Sequence, residues 1–287
     1  VAQAVHVYTL ALGARALEGG LIDRRQVALF IPPGLKKFKQ QLFERIGATI
    51  GRVIRDDPRR LDDLPPDIIP IVGCTPFLRP WIERWTATNK TWIYWDRGYL
   101  RRVFATWLPS GADMGIPGGY YRWHINTPQM REIYNVPNDR WKSLRLDGEL
   151  KPWRKSGRHI VVIDTLPDYW LLFSDLTWVR NTVALLREFT DRPIIVRDKE
   201  SKVPLYEEIK GAHCVVSHGS IAAVEAVVMG CPVFVAPMSA AALVGKTVLA
   251  DIENPIYPER QPWLNSLAYC QFNERELVDG TLWRLLK

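Results

Sequence analysis

The sequence predicts an α/β fold in two halves, each a parallel sheet flanked by helices. Three observations point to it. Short apolar runs alternate with amphipathic ones through most of the 287 residues, as strands alternating with crossover helices do. Between Cys214 and Val235 the order is strand, small-residue turn, helix, glycine, strand. A stretch rich in Gly, Pro, Trp and Arg over residues 107–157 interrupts the alternation. It divides the chain into residues 1–150 and 151–287, each of ordinary domain size.

In the first half, His6 to Leu12 reads as a buried strand. Val27 to Ile31 reads as a second strand, stopped by Pro32-Pro33-Gly34 because proline and glycine end a ladder. Leu35 to Ile46 has helical character, with Lys36, Lys37 and Lys39 on its solvent side. Arg52 to Pro66 is a charged, proline-bearing loop. Ile68 to Val72 is a strand ending at Gly73, Pro80 to Ala87 a helix, and Thr91 to Trp95 a strand. Pro109 to Gly119 reads as a mobile or ligand-shaped loop. Lys151 to Arg158 reads as the interdomain linker.

The second half is cleaner. Ile160 to Ile163 is a strand, and Leu176 to Phe189 a helix with Val179, Val183 and Leu186 on one face. A strand at Pro193 to Val196, a helix at Leu205 to Lys210 and strands at Cys214 to Val216 and Val233 to Val235 follow. Arg260 to Leu286 holds one or two helices, broken near Gln271-Phe272-Asn273, and the terminal helix can pack back on the first half.

Composition limits the function classes. The chain is 47% hydrophobic and 24% charged, ordinary for a soluble globular protein. No apolar run approaches the roughly 20 residues that span a bilayer. Val1-Ala2-Gln3-Ala4 lacks a basic region leading into an apolar core, so a cytoplasmic protein is expected. Cys74, Cys214, Cys231 and Cys270 form no CxxC pair, and the histidines form no HExxH cluster. A reduced protein without a structural metal is therefore expected. The net charge of +7 lies wholly in residues 1–150, and such a basic half suits a polyanionic partner, nucleic acid above all. Trp81, Trp85, Trp92, Trp95, Trp107, Trp123, Trp141 and Trp153 crowd one stretch. Most are read as core or cleft packing, though exposed aromatics can stack on bases or sugars.

The chemistry centres on Ser217-His218-Gly219-Ser220, which runs into a helix carrying Glu225. Small residues at a helix start let a phosphate reach backbone N–H groups. His218 can donate a hydrogen bond to a phosphate and stabilise leaving-group charge. Glu225, two turns on, can accept from ribose hydroxyls. Arg197 and Lys199 follow the strand at Pro193 to Val196, where the C-terminal strand ends of a parallel sheet line the ligand crevice. Leu243 to Thr247 ends like a P-loop, but Ala240 stands where the first glycine is required. Asp56, Asp57, Asp62 and Asp63 follow no apolar strand and are poor metal ligands.

The run from His218 to Pro237 resembles the nucleotide-binding segment of GT-B glycosyltransferases. Gly219, Glu225, Gly230 and Pro232 keep the offsets found in the peptidoglycan N-acetylglucosaminyltransferase. UDP-N-acetylglucosamine 2-epimerases share much of the pattern. The resemblance implies two Rossmann-like domains facing a central cleft, no metal, and a nucleotide sugar, expected to be a UDP-sugar, as co-substrate. It also implies Gly219 and Ser220 at the diphosphate and Glu225 at the ribose. Capsule-type Kdo transferases carry a His-Pro pair where this chain has Arg197-Asp198.

On the acceptor side, Asp96 follows the strand ending at Trp95 and is placed to act as general base on an acceptor hydroxyl, with His124 as the rival base. The stretch from Asp96 to Arg102 resembles the acidic-Asp-Gly-aromatic-Leu-Arg segment of capsule transferases. With Tyr120 to His124, it also resembles bacteriophage glycosyltransferase-like proteins. Arg97, Tyr99, Arg101, Arg102, Arg122 and Trp123 interleave cations with aromatics as an acceptor surface for phosphates and bases. The expected function is glycosyl transfer, with hydroxymethylated bases in phage DNA as the favoured acceptor and base flipping as the means of access. A surface-glycan or capsule acceptor, a nucleotide-sugar epimerase and a non-catalytic DNA-binding module are the alternatives.

Overall fold

The computed structural model describes residues 22–35, 37–100, 119–144, 150–199 and 201–286. The chain folds as a mixed α/β structure around two sheets. Their strands are β1 (Val27–Ile31), β2 (Val53–Arg55), β3 (Ile69–Val72), β4 (Ile93–Arg97), β5 (Tyr120–Ile125), β6 (His159–Ile163), β7 (Ile194–Arg197), β8 (Ala212–Ser217), β9 (Val233–Val235) and β10 (Gln271–Asn273). The helices are α1 (Lys37–Ala48), α2 (Arg79–Ala87), α3 (Asp139–Ser143), α4 (Pro167–Phe173), α5 (Trp178–Leu186), α6 (Leu205–Glu208), α7 (Ile221–Val228), α8 (Gln261–Tyr269), α9 (Glu274–Val278) and α10 (Thr281–Leu285).

The first sheet runs β10-β5-β4-β3-β1-β2. Its β4, β3, β1 and β2 are parallel, while β5 and β10 add an antiparallel pair at one edge. Every residue of β1 is buried, as a strand covered on both faces requires. Period-two alternation divides its side chains between two cores. Val27, Leu29 and Ile31 join Trp95 and Trp123 under α1, α9 and α10. Ala28 and Phe30 join Val72 and Tyr94 under α2 and the end of α4. The second sheet, β7-β6-β8-β9, is entirely parallel, with α5 packed on one face and α6, α7 and α8 on the other.

Three departures from the sequence reading matter for the site. First, β5 and β10 are strands where an irregular stretch and a helix break were expected. Second, α4 was not anticipated, and α5 is shorter than the span from Leu176 to Phe189. Third, the return of the chain to the first half involves a strand as well as the terminal helices: β10 pairs with β5, and Phe272, Leu277, Leu282 and Trp283 enter the first-sheet core. Conversely, Tyr99, Leu100, Met130, Trp141 and Leu144 from the first half pack into the core under the second sheet. The strand expected at His6 to Leu12 and almost all of the loop expected at Pro109 to Gly119 lie outside the described residues. No described helix is long and apolar enough to cross a membrane.

Candidate functional site

The turn between β8 and α7 is built as a strand end feeding a capped helix. Ser220 is the N-cap, its Oγ accepting from the Ala222 N–H at 3.3 Å, and Ser217 Oγ accepts from the Ser220 N–H at 3.2 Å. Such a cap satisfies donors that a helix start otherwise leaves open. The two motif glycines have packing reasons of their own. A Cβ on Gly219 would lie 2.0 Å from the Tyr169 hydroxyl and 3.2 Å from Gln129 Nε2. Gly230 ends α7 at φ +77°, and a Cβ there would meet the Pro152 carbonyl at 2.1 Å. Gly219 is thus buried beneath Tyr169 and Gln129.

His218 opens this turn, directly after β8. Its ring contacts Tyr169, Trp170 and Trp178 edge-on, with centroids 5.7, 5.6 and 5.6 Å away. Its Nδ1 lies 2.9 Å from the Tyr169 hydroxyl. Burial in this aromatic box pushes the imidazole down to about 4, with only partial opposition from Asp175, so the ring is neutral near pH 7.

The other expected donor contacts fare differently. Glu225 is 3% exposed and partnered within the protein, so its carboxylate does not face open solvent. Arg197 folds back on its own loop, donating to the Val203 carbonyl at 2.9 Å and ion-pairing with Glu208. Lys199 is exposed. Lys246 of the rejected P-loop pairs with Asp251 at 3.0 Å.

At the end of β4, Asp96 is held on three sides. Oδ2 accepts from Arg122 Nη2 at 2.8 Å and from the Tyr94 hydroxyl at 3.2 Å, while Oδ1 accepts from the Arg97 N–H at 2.7 Å. The register pairs Asp96 with Arg122 across β4 and β5, so the two side chains share a face. The Asp96 side chain nevertheless keeps 32% of its surface exposed. Arg122 is buried, and it also donates to the carbonyls of Arg97 (2.7 Å) and Pro128 (3.1 Å). Its guanidinium lies 5.7 Å from the ring centres of both Tyr94 and Tyr99. Cys74 lies beside this group, its thiol pushed up to about 12 by burial and by Asp96, so it is no thiolate nucleophile.

Several acceptor-side expectations do not survive this geometry. His124 is 1% exposed, with Nε2 2.7 Å from the Tyr99 hydroxyl. Burial holds it well below its ordinary value, so it is a core histidine and not a base for an incoming hydroxyl. Trp123 is fully buried and stacks on Trp95 at 5.6 Å. Tyr99 is fully buried too, its hydroxyl accepting from the Met130 N–H at 2.7 Å. Arg122, Tyr99 and Trp123 are therefore internal and do not present a stacking surface. Arg97 is exposed. Arg101 and Arg102 lie outside the described residues.

The residue that sequence reasoning missed is Tyr169. It lies on α4, which packs against both halves, and its hydroxyl meets His218. Tyr94 packs on Phe173 of the same helix at 5.7 Å. Arg79 of α2 ties α4 down, donating to the Leu171 and Ser174 carbonyls at 3.3 and 2.9 Å. Gln129 forms a second bridge, donating to the Gly219 carbonyl at 2.5 Å and accepting from the Ala240 N–H at 2.9 Å. The signal available was Leu166-Pro167-Asp168, a proline-opened helix start directly after a buried strand. Among the described residues no cluster of three or more His, Cys, Asp or Glu side chains is placed to hold a metal ion.

The parallel sheets and the two carboxyl-end clusters joined by α4 define a protein of glycosyltransferase-like α/β fold. The solved structure that shows this is the β-Kdo 2,7 transferase of KpsC from Thermosulfurimonas dismutans. It aligns with a TM-score of 0.52 at 14% identity, covering 89% of this chain and 99% of that one. The β-Kdo 2,4 transferase of the same organism's KpsC aligns at a TM-score of 0.49 and 11% identity, over 90% and 98% of the two chains. No family model matches the sequence. No curated protein matches it either.

Proposed function

We propose that this chain is a glycosyltransferase that moves a sugar from a nucleotide-sugar donor to a hydroxyl acceptor, in a GT-B-like arrangement of its two sheets. The observation that carries this reading is the place of Asp96 at the end of β4 and of His218 just after β8, where ligands of parallel α/β sheets bind, with α4 packed against both. The donor phosphates sit against the β8–α7 turn, beside His218 and the start of α7. Asp96 takes the acceptor proton. The acceptor oxygen bonds to the anomeric carbon, the bond from that carbon to the phosphate oxygen breaks, and the nucleotide leaves with its electron pair. Arg122 holds the Asp96 carboxylate in place through this step.

The acceptor that the geometry favours is a carbohydrate hydroxyl. One fold neighbour is a Kdo transferase, and the aromatics Tyr99 and Trp123, expected to stack on nucleic acid, are buried. Transfer to hydroxymethylated DNA keeps the support of the basic first half alone. The test has two stages. Thermal-shift and calorimetric titration against UDP-, GDP- and dTDP-sugars and CMP-Kdo should find one nucleotide that binds. Transfer assays with glycan and hydroxymethylated-duplex acceptors should then give product with the first. Asp96→Asn is expected to lower transfer at least ~100-fold while donor affinity stays within about threefold. The reading is wrong if no nucleotide stabilises the chain. Interconversion of nucleotide sugars without an acceptor would replace it with an epimerase.

A further inference from the structure

The imidazole of His218 has two nitrogens, and the structure fixes what one of them does. Nδ1 lies 2.9 Å from the Tyr169 hydroxyl, while Nε2 makes no hydrogen bond to a described residue. A hydroxyl this close to a ring nitrogen either gives its proton to it or takes one from it. If Nδ1 carried the proton, the Tyr169 hydroxyl hydrogen would need another acceptor. The one at hand is Met238 Sδ at 3.9 Å, and a thioether accepts weakly. Burial keeps the Tyr169 phenol protonated, well above its usual range, so the hydroxyl retains a hydrogen to give. The hydrogen-bonding role of one ring nitrogen sets the protonation of the other.

Resting on the donor-site reading above, the geometry points to Tyr169 as a positioning residue. It donates its hydroxyl proton to His218 Nδ1 and so fixes the neutral imidazole with its own proton on Nε2. The ring then offers a phosphate oxygen an uncharged N–H donor on the side away from Tyr169. A neutral donor suits a site that must release a nucleotide diphosphate, because it holds the anion without the tight grip of a full cation. Gly219 belongs to the same device. Any Cβ there would occupy the place of the Tyr169 hydroxyl, 2.0 Å away.

Nitrogen-15 NMR of the full chain labelled in histidine tests this at pH 7.5, with the His218 signals assigned by their loss in His218→Gln. The wild type is expected to show Nδ1 unprotonated and hydrogen-bonded and Nε2 protonated. In Tyr169→Phe the Nδ1 resonance should move to that of an unbonded nitrogen, and affinity for UDP and pyrophosphate should fall about tenfold. Gly219→Ala, which displaces the hydroxyl, should act in the same direction. A protonated Nδ1 in the wild type overturns the inference, and this single measurement decides it even if neither variant folds. An Nδ1 resonance unchanged in Tyr169→Phe overturns it as well. If neither UDP nor pyrophosphate binds the wild type while Nδ1 is found unprotonated and bonded, the donor-site reading falls and the tautomer assignment stands.

Discussion

A methyl group at position 219 has nowhere to go except into Tyr169. Gly219→Ala is therefore expected to destabilise the chain by roughly 1–3 kcal/mol, the usual cost of overpacking. Removing the offending oxygen in Gly219→Ala/Tyr169→Phe should recover part of that loss, since the remaining contacts sit at 3.1 and 3.2 Å. Urea titration of the four members of the cycle measures the coupling, and strict additivity would show that the two residues do not meet. His218 and His124 carry a second prediction. Both are held below the ordinary histidine value, His218 at about 4. As pH falls through about 6.5 the unfolded chain takes up protons that the folded chain refuses, so unfolding gains. The His218 contribution is full above the ordinary value, is lost between about 6.5 and 4, and changes no further below. Comparing urea midpoints at pH 7.5 and 5 should show the loss, and His218→Gln should reduce it by roughly 1–3 kcal/mol.

Among the elements, β10 and α9 hang on Arg140. It donates to the Ala268 and Gln271 carbonyls at 2.9 and 2.7 Å and pairs with Glu276 at 2.5 Å, both side chains largely buried. Glu276 also closes a capping box with Asn273. Arg140→Ala leaves that carboxylate without its cation and should cost about 3 kcal/mol, read as a lower unfolding midpoint. These elements also show where the sequence is mute. Parallel strands buried on both faces announce themselves as unbroken apolar runs, and β1, β3, β6, β8 and β9 were all legible that way. In β5, one face carries Trp123 and the other Arg122 and His124, so polar and aromatic residues alternate where a core strand normally shows aliphatics. The three residues of β10 are too few to show any period. At the site, the sequence places His218 just after a strand and Asp96 at a strand end, and the structure has them there, His218 following β8 and Asp96 within the last two residues of β4. The contact of Tyr169 with His218 was not legible, because only the packing of α4 against both halves brings it there.

On the scale of the whole molecule, the two halves share cores as well as a covalent link. Among the described residues, five buried side chains of the first half sit under the second sheet, and the last elements of the chain sit on the first. Heat should accordingly unfold the chain in one calorimetric transition, and two resolved peaks would show that the shared packing does not couple the halves. A fragment of residues 151–287 should not fold by itself, because it lacks Tyr99, Met130 and Trp141 while its own tail lacks a sheet to join. Circular dichroism of the isolated fragment checks this.

The pairing of β10 with β5 also bears on how the protein is made. Residues 271–273 leave the ribosome well after residues 120–125, so during translation the first sheet waits with one edge unsealed. Such an edge is a template for pairing with other chains, and nascent strands exposed for long are where misassembly starts. A pause in synthesis between β5 and β10 therefore lengthens the most vulnerable interval in the life of this polypeptide.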